Sequence, residues 1–243
     1  MWDVKQKARE FGVNMSEKIV VFDQGGVMVR ICRSLKEAGE RCGIEVRDED
    51  ITLERRAERR AIHAEYERGR IGCEEFFVAI ARTTGGKYTP EQFHTMHMNW
   101  IIDEYAGVSE LIDDLHAAGI ATGVLSNTNA SHWGQMQGLA ADGSVTVPKF
   151  PTTTKPMHRH ASHLFGLAKP DRAIYHEFAQ RTGFAPGQIV FFDDLPENVG
   201  AARMAGWKSH VVDHMGDTAG QMRGYLRAEH GIVLSGTGVP PVW

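Results

Sequence analysis

Four short stretches of the chain end in residues able to do chemistry. Asp23 closes the apolar run Ile19-Val20-Val21-Phe22 and is followed, after Gln24, by Gly25 and Gly26. Ser126 closes Val124-Leu125 and leads into Asn127 and Thr128. Lys169 stands in a further strand-like run, Ala168-Lys169-Pro170-Asp171, after a polar loop, and Asp193-Asp194 closes Val190-Phe191-Phe192. A carboxylate can serve as a covalent nucleophile, so Asp23 is the candidate nucleophile. With Asp193 and Asp194 opposite, it makes an oxygen-rich site suited to Mg²⁺. The Ser126 hydroxyl, the backbone N–H groups of Asn127 and Thr128 and the Lys169 ammonium suit the oxygens of a phosphate. Taken singly, each has a plainer role as a turn cap, a surface charge or the acidic start of a helix opening at Pro196. The order of the four is what argues for a site.

Positioning them requires strands that end together. The apolar runs have the profile of strands buried on both faces, and open parallel sheets bind ligands beyond the carboxyl ends of their strands. From Gly107 onward helical and strand patterns alternate. A helix face of Val108, Leu111, Ile112 and Leu115 precedes a strand over 120–125, and a helix is expected from Asn129 toward Gly138. Then come a helix over 171–182, a strand over 188–192, a helix over 196–206, a strand over 207–212 and a closing helix over 217–230. The expected class is α/β, a Rossmann-like open parallel sheet flanked by helices. Residues 33–104 instead read as helices. Leu35, Ala38 and Cys42 share one face ahead of Gly43; Asp50 is placed to cap a second helix with Leu53, Ala57 and Ala64; Phe77, Ile80 and Ala81 mark a third. Thr89 with Gln92 makes a capping box with Pro90 at the first helical position, and the helix is expected to run through Phe93, Met96, His97, Trp100 and Ile101. This divides the chain into a core of residues 1–32 and 105–243 and an inserted helical unit of residues 33–104. Residues 141–160 read as a long loop bordering the site, 1–17 as a lead-in and 234–243 as a tail.

An Asp, a Ser, a Lys and an acidic pair in this order resemble the four motifs of the haloacid dehalogenase (HAD) superfamily. The resemblance spans Lys18 to about Asp213. It implies that Asp23 attacks phosphorus to give an aspartyl phosphate that water later removes, that the main-chain carbonyl of Gly25 joins Asp23, Asp193 and Asp194 around Mg²⁺, that Asn198 supports the metal shell or the lysine, and that the helical insertion is a cap closing over the site and choosing the substrate. One position departs from the commonest pattern. HAD phosphatases carry a second Asp two residues after the nucleophile as general acid, and here that residue is Gly25. Asp-x-Gly-Gly-Val, with Leu125-Ser126-Asn127-Thr128-Asn129, resembles a bacterial branch that includes α-glucose-1-phosphate phosphatases. The implied activity is Mg²⁺-dependent hydrolysis of a small phosphorylated metabolite, with a sugar phosphate as one candidate. The alternatives are a metal-free 2-haloacid dehalogenase and a module that binds phosphorylated ligands or a protein without turnover.

Composition narrows the partners. The chain has 243 residues, a net charge of −4 and 42% hydrophobic residues, so no global basic field offers itself to nucleic acid. Cys32, Cys42 and Cys73 are odd in number and lack metal-type spacing, which points to a reducing compartment. No apolar run is long enough for a signal peptide or a membrane span, so a cytoplasmic protein is expected. Arg55, Arg56, Arg59 and Arg60 read as a solvated helix face, His94, His97 and Trp100 as packing. His158, His160 and His163 read as loop residues, with the crevice in reach as the alternative.

Overall fold

The computed structural model describes residues 17–46, 52–140 and 144–234. At its centre is β1 (Ile19–Phe22), whose four side chains are fully buried. Alternation along this strand builds two cores at once. Val20 and Phe22 pack on one face of the sheet and Ile19 and Val21 on the other. The sheet is parallel, in the order β5-β4-β1-β6-β7, with β4 at Ala121–Ser126, β5 at His158–Ala161, β6 at Ile189–Asp193 and β7 at Lys208–Val211. Strand β6 repeats the alternation, Val190 and Phe192 to one core and Ile189 and Phe191 to the other. Parallel pairing forces each strand to be reached by a crossover, so all carboxyl ends lie at one edge. The chain leaves β1 toward β4 on one side and returns to β6 on the other, which opens a crevice at the tips of β1 and β6.

Before the sheet continues, the chain makes a short antiparallel pair from β2 (Val29–Ile31) and β3 (Ile101–Glu104). Between them lie α1 (Leu35–Cys42), α2 (Leu53–Glu67), α3 (Cys73–Arg82) and α4 (Pro90–Met98). These helices form a third apolar cluster of their own, centred on Tyr66, Phe76, Phe77, Ile80 and Met96. The capping box at Thr89 and Gln92 is present, and Gly43, in the left-handed region at φ 67°, closes α1. Thr52, not Asp50, caps α2, through its hydroxyl and the Arg55 N–H; Asp50 lies outside the described residues. The expected helix over 89–101 stops short. Asn99 ends α4, and the β-branched pair Ile101 and Ile102 is taken into β3, where the Cys32 N–H donates to the Trp100 carbonyl at 2.8 Å.

The core continues with α5 (Val108–Ala117), α6 (Ala130–Gln137), the single turn α7 (Ser162–Phe165), α8 (Arg172–Thr182), α9 (Pro196–Met204) and α10 (Thr218–His230). Two expectations are corrected. The stretch read as a loop to residue 160 ends in a 3₁₀ turn at Pro151–Thr154 and the edge strand β5; residues 141–143 lie outside the description. An edge strand is only half-covered, so His-Arg-His-Ala carries no apolar run to announce it. Conversely, Ala168–Asp171 is not strand-like but a loop into α8, capped by Asp171. The lead-in and the tail fall outside the described residues, apart from residue 17 and Leu234. Among the described residues no helix is long and apolar enough to cross a membrane.

Candidate active site

Strand β1 delivers Asp23 to the crevice, with its N–H on the Phe192 carbonyl of β6 at 2.8 Å. The turn that follows is tight. The Gln24 carbonyl accepts from the N–H groups of Met28 and Val29, both at 2.9 Å, and Gly26 adopts φ 81°. A Cβ at Gly26 would fall on the Asp194 carboxylate and the Arg33 guanidinium, so both φ and space demand glycine there. Neighbouring β6 delivers Asp193 and Asp194. The carboxylates of Asp23, Asp193 and Asp194 each place an oxygen within 4.8 Å of the others, close to the roughly 4.2 Å between opposite oxygen ligands about 2.1 Å from one Mg²⁺. The donor set is hard and anionic, which fits a divalent cation.

Lys169 is the counterweight. Its Nζ lies 2.6 Å from Asp193 Oδ2 and 2.9 Å from Asp23 Oδ1, with no exposure of its own side chain. Burial works against the ammonium, but the two carboxylates outweigh it and hold the lysine charged, above its ordinary pKa. Asp23 moves up from the usual carboxylate range because burial penalises its charge more than Lys169 relieves it, with Asp193 adding repulsion. Asp193 is fully engaged: Oδ1 accepts from the Leu195 N–H at 2.9 Å and Asn198 Nδ2 at 3.0 Å, and Oδ2 from Asn198 Nδ2 at 3.1 Å and Lys169. Those four contacts use its four acceptor positions. Asp194 is differently placed. It pairs with the half-exposed Arg33 at 2.9 Å and lies 3.9 Å from His214.

The remaining expected residues also come to this edge. Ser126 is buried at the end of β4. The Asn127 side chain clamps the lysine loop, accepting from the Lys169 N–H and donating to the Lys169 carbonyl, both at 2.8 Å. The Thr128 N–H, expected to face an anion, is spent instead on Ser162 Oγ at 2.9 Å. Gly25, Ser126, Asn127 and Thr128 all line one cavity of about 370 Å³ beneath the helical insertion. The three loop histidines do not. His158 and His160 belong to β5, His160 against the Phe165 and Phe178 rings, and His163 donates through Nδ1 to the Thr128 carbonyl at 3.2 Å.

Several residues of this site had no distinct sequence signal. Gln24 is 1% exposed, lines the cavity, and its side-chain amide has no hydrogen-bond partner among the described residues. A buried amide left so is a candidate ligand contact; the signal available was a polar residue next to the carboxylate that ends a fully apolar strand. His97 and His132 stack at 3.8 Å on the cavity wall, joining α4 to α6. His97 Nε2 donates to Asn129 Oδ1 at 3.2 Å and His132 Nε2 to the His97 carbonyl at 2.8 Å. Burial holds both neutral, His132 at about 4 and His97 well below its ordinary value. Arg59 faces Thr83 rather than joining the exposed arginines of α2.

Fold and site together define an α/β protein of Rossmann-like topology whose acidic strand tips meet around a buried lysine. The haloacid dehalogenase-like hydrolase model matches residues 17–206, and the chain belongs to this hydrolase family. Phosphatase MT3486 of Mycobacterium tuberculosis (strain CDC 1551 / Oshkosh) is 28% identical over 170 residues, 68% of this chain and 71% of the relative. The HAD family enzyme bt-2542 of Bacteroides thetaiotaomicron, crystallised in complex with magnesium and inorganic phosphate, is similar in fold with a TM-score of 0.66 at 21% identity, covering 85% of this chain and 99% of that one. A predicted HAD-like family hydrolase of Porphyromonas gingivalis gives 0.67 at 23%, covering 87% and 98%.

Proposed function

We propose that the protein is a Mg²⁺-dependent phosphomonoester hydrolase acting on a small phosphorylated molecule through an aspartyl phosphate on Asp23. The observation that carries this is the meeting of three carboxylates within 4.8 Å around a lysine buried between two of them. Asp23, Asp194 and the Gly25 carbonyl would hold the cation, and when bound it would offset the repulsion between nucleophile and phosphate. Asp193, with its oxygens engaged, serves instead to fix Lys169, and Asn198 fixes Asp193. Lys169 keeps the Asp23 carboxylate oriented and balances the charge of the phosphate oxygens, to which Ser126 donates. Asp23 attacks phosphorus in line, the alcohol leaves, and water cleaves the acyl phosphate. The insertion of residues 33–104 acts as the substrate-selecting cap, with residues 1–32 and 105–243 as the core.

The relative named a phosphatase and the magnesium and phosphate complex of bt-2542 agree with this reading. A metal-free attack on carbon has no use for so much negative charge at the nucleophile. The test is phosphate release from a phosphomonoester panel with Mg²⁺, expected to stop with EDTA and in Asp23→Asn. Halide release from 2-haloacids in EDTA would replace this reading with the dehalogenase one. Ligand binding without turnover across the panel would replace it with a binding role.

A further inference from the structure

The cavity has one polar pole and a largely apolar remainder. Strand tips form the pole, through Ser126, Asn127 and Gln24, while Phe76, Phe77, Ile80, Phe93, Met96 and Trp100 come from the helical insertion opposite. Several polar groups farther along the wall already have partners, His97 and His132 being tied to Asn129 and to each other and Arg59 to Thr83, while His63 and Glu67 also line it. On the phosphatase reading, we propose that the ester's alcohol part is apolar and ring-sized, the phosphate at the strand tips and the ring among the aromatics. A cavity of about 150 Å³ suffices for a benzene, so about 370 Å³ holds a ring and a phosphate together. A sugar would set its hydroxyls against hydrocarbon with few free partners. Titration of the Asp23→Asn protein with phenyl phosphate and with glucose 6-phosphate, both with Mg²⁺, reads the preference without turnover. Phenyl phosphate is expected to bind at least about 10-fold tighter, the scale of one or two buried apolar groups. Equal affinity, or tighter binding of the sugar phosphate, overturns the proposal. If neither ester were turned over by the unmodified protein, the phosphatase reading would fail separately.

A different observation addresses the missing acid. A Cβ at Gly25 would come 3.0 Å from Ile31 Cδ1, so a side chain there would need Ile31 to give by a few tenths of an ångström. The cavity receives a carboxyl from the opposite side. Glu67 is the last residue of α2 and lines the cavity with Gly25 and Ser126. The end of α2 is tied to the first turn of α6, the helix that follows residues 126–129, since Tyr66 Oη and Cys73 Sγ both meet Ser131 Oγ, at 2.7 and 2.9 Å. We infer that Glu67 is the general acid, a residue of the insertion replacing one absent from the core. As the Asp23–phosphorus bond forms and the phosphorus–oxygen bond to the alcohol breaks, the leaving oxygen takes the Glu67 proton. Water attacking the acyl phosphate returns a proton to Glu67, freeing phosphate and Asp23. Burial moves the Glu67 carboxyl upward, against the pull of Arg68 and Lys169, whereas His97 and His132 are neutral and already donate elsewhere.

Leaving-group dependence tests this on the same reading. In Glu67→Gln, kcat for an alkyl phosphate is expected to fall about 10²- to 10⁴-fold. For p-nitrophenyl phosphate, whose leaving oxygen needs no proton, the loss should stay under about 10-fold, and that retained activity shows the variant is folded. Equal losses on both esters, or none on either, overturn the assignment. An unmodified protein inactive on both would instead remove the phosphatase reading.

Discussion

Replacing Lys169 by methionine strands two carboxylates. The side chains of Lys169 and Asp193 are wholly buried and that of Asp23 is 11% exposed, so solvent screens these charges poorly. Removing one partner of such a buried ion pair costs about 3–5 kcal/mol, mostly as the penalty of the charge left behind. At about 2–4 °C per kcal/mol for a domain of this size, Lys169→Met should lower Tm by roughly 6–20 °C at pH 7.5. The pH dependence carries the sharper test. Lys169 pulls the Asp23 carboxyl down against burial, so without it the folded-state pKa rises further above the unfolded value of about 3.9. The folded variant then takes up its proton at higher pH than the parent, whose Asp23 is pushed up to about 7, so its deficit shrinks as pH falls from about 9 toward 7 and changes little below that, where both folded proteins carry the proton. The assay is urea unfolding of both proteins at matched pH, without divalent cations, reading the difference so that titrations common to both cancel. Lys169→Met/Asp193→Asn should recover part of the loss. A variant within about 1 kcal/mol of the parent at pH 7.5, or a deficit independent of pH, would refute the view that the lysine exists to balance buried charge.

Gln24→Met should raise Tm in the absence of ligand, because it removes a buried amide whose lack of a partner costs about 1–3 kcal/mol, and should raise KM if that amide meets substrate; a destabilised variant would count against this. Mg²⁺ at about 100 times its Kd should stabilise the protein by about 2.7 kcal/mol in a thermal melt, and Asp194→Asn should abolish most of the shift. Burial holds His132, His160 and His230 at about 4. The unfolded chain binds those protons near 6.5, so stability should fall as pH drops from about 6.5 to about 4, and a flat urea midpoint across that window would contradict the assignment.

Local chemistry carried the sequence a long way. Runs such as Ile19–Phe22 and Val190–Phe192 can be satisfied only by strands covered on both faces, and a carboxylate ending such a run must lie at the edge where parallel strands end. Asp23, Ser126, Asp193 and Asp194 were legible for that reason, and so was the helical character of the described residues between 35 and 98, where capping residues and apolar spacing agree. Elements decided by a neighbour were not legible. β5 is a strand because β4 offers it an edge, and Ile101 leaves its helical pattern because Val29–Ile31 offers a ladder. The same holds for the wiring of the site. Sequence supplied a lysine and two acids, but only packing brought Lys169 between Asp23 and Asp193, used up the Asp193 oxygens on Asn198 and Leu195, and turned Asn127 into the clamp of the lysine loop. Residue type and order fix which groups are available, because side-chain chemistry is local. Which of them meet, and which go without a partner among the described residues, as Gln24 does, depends on contacts between residues far apart in the chain, and those form only when the sheet and the insertion close on one another.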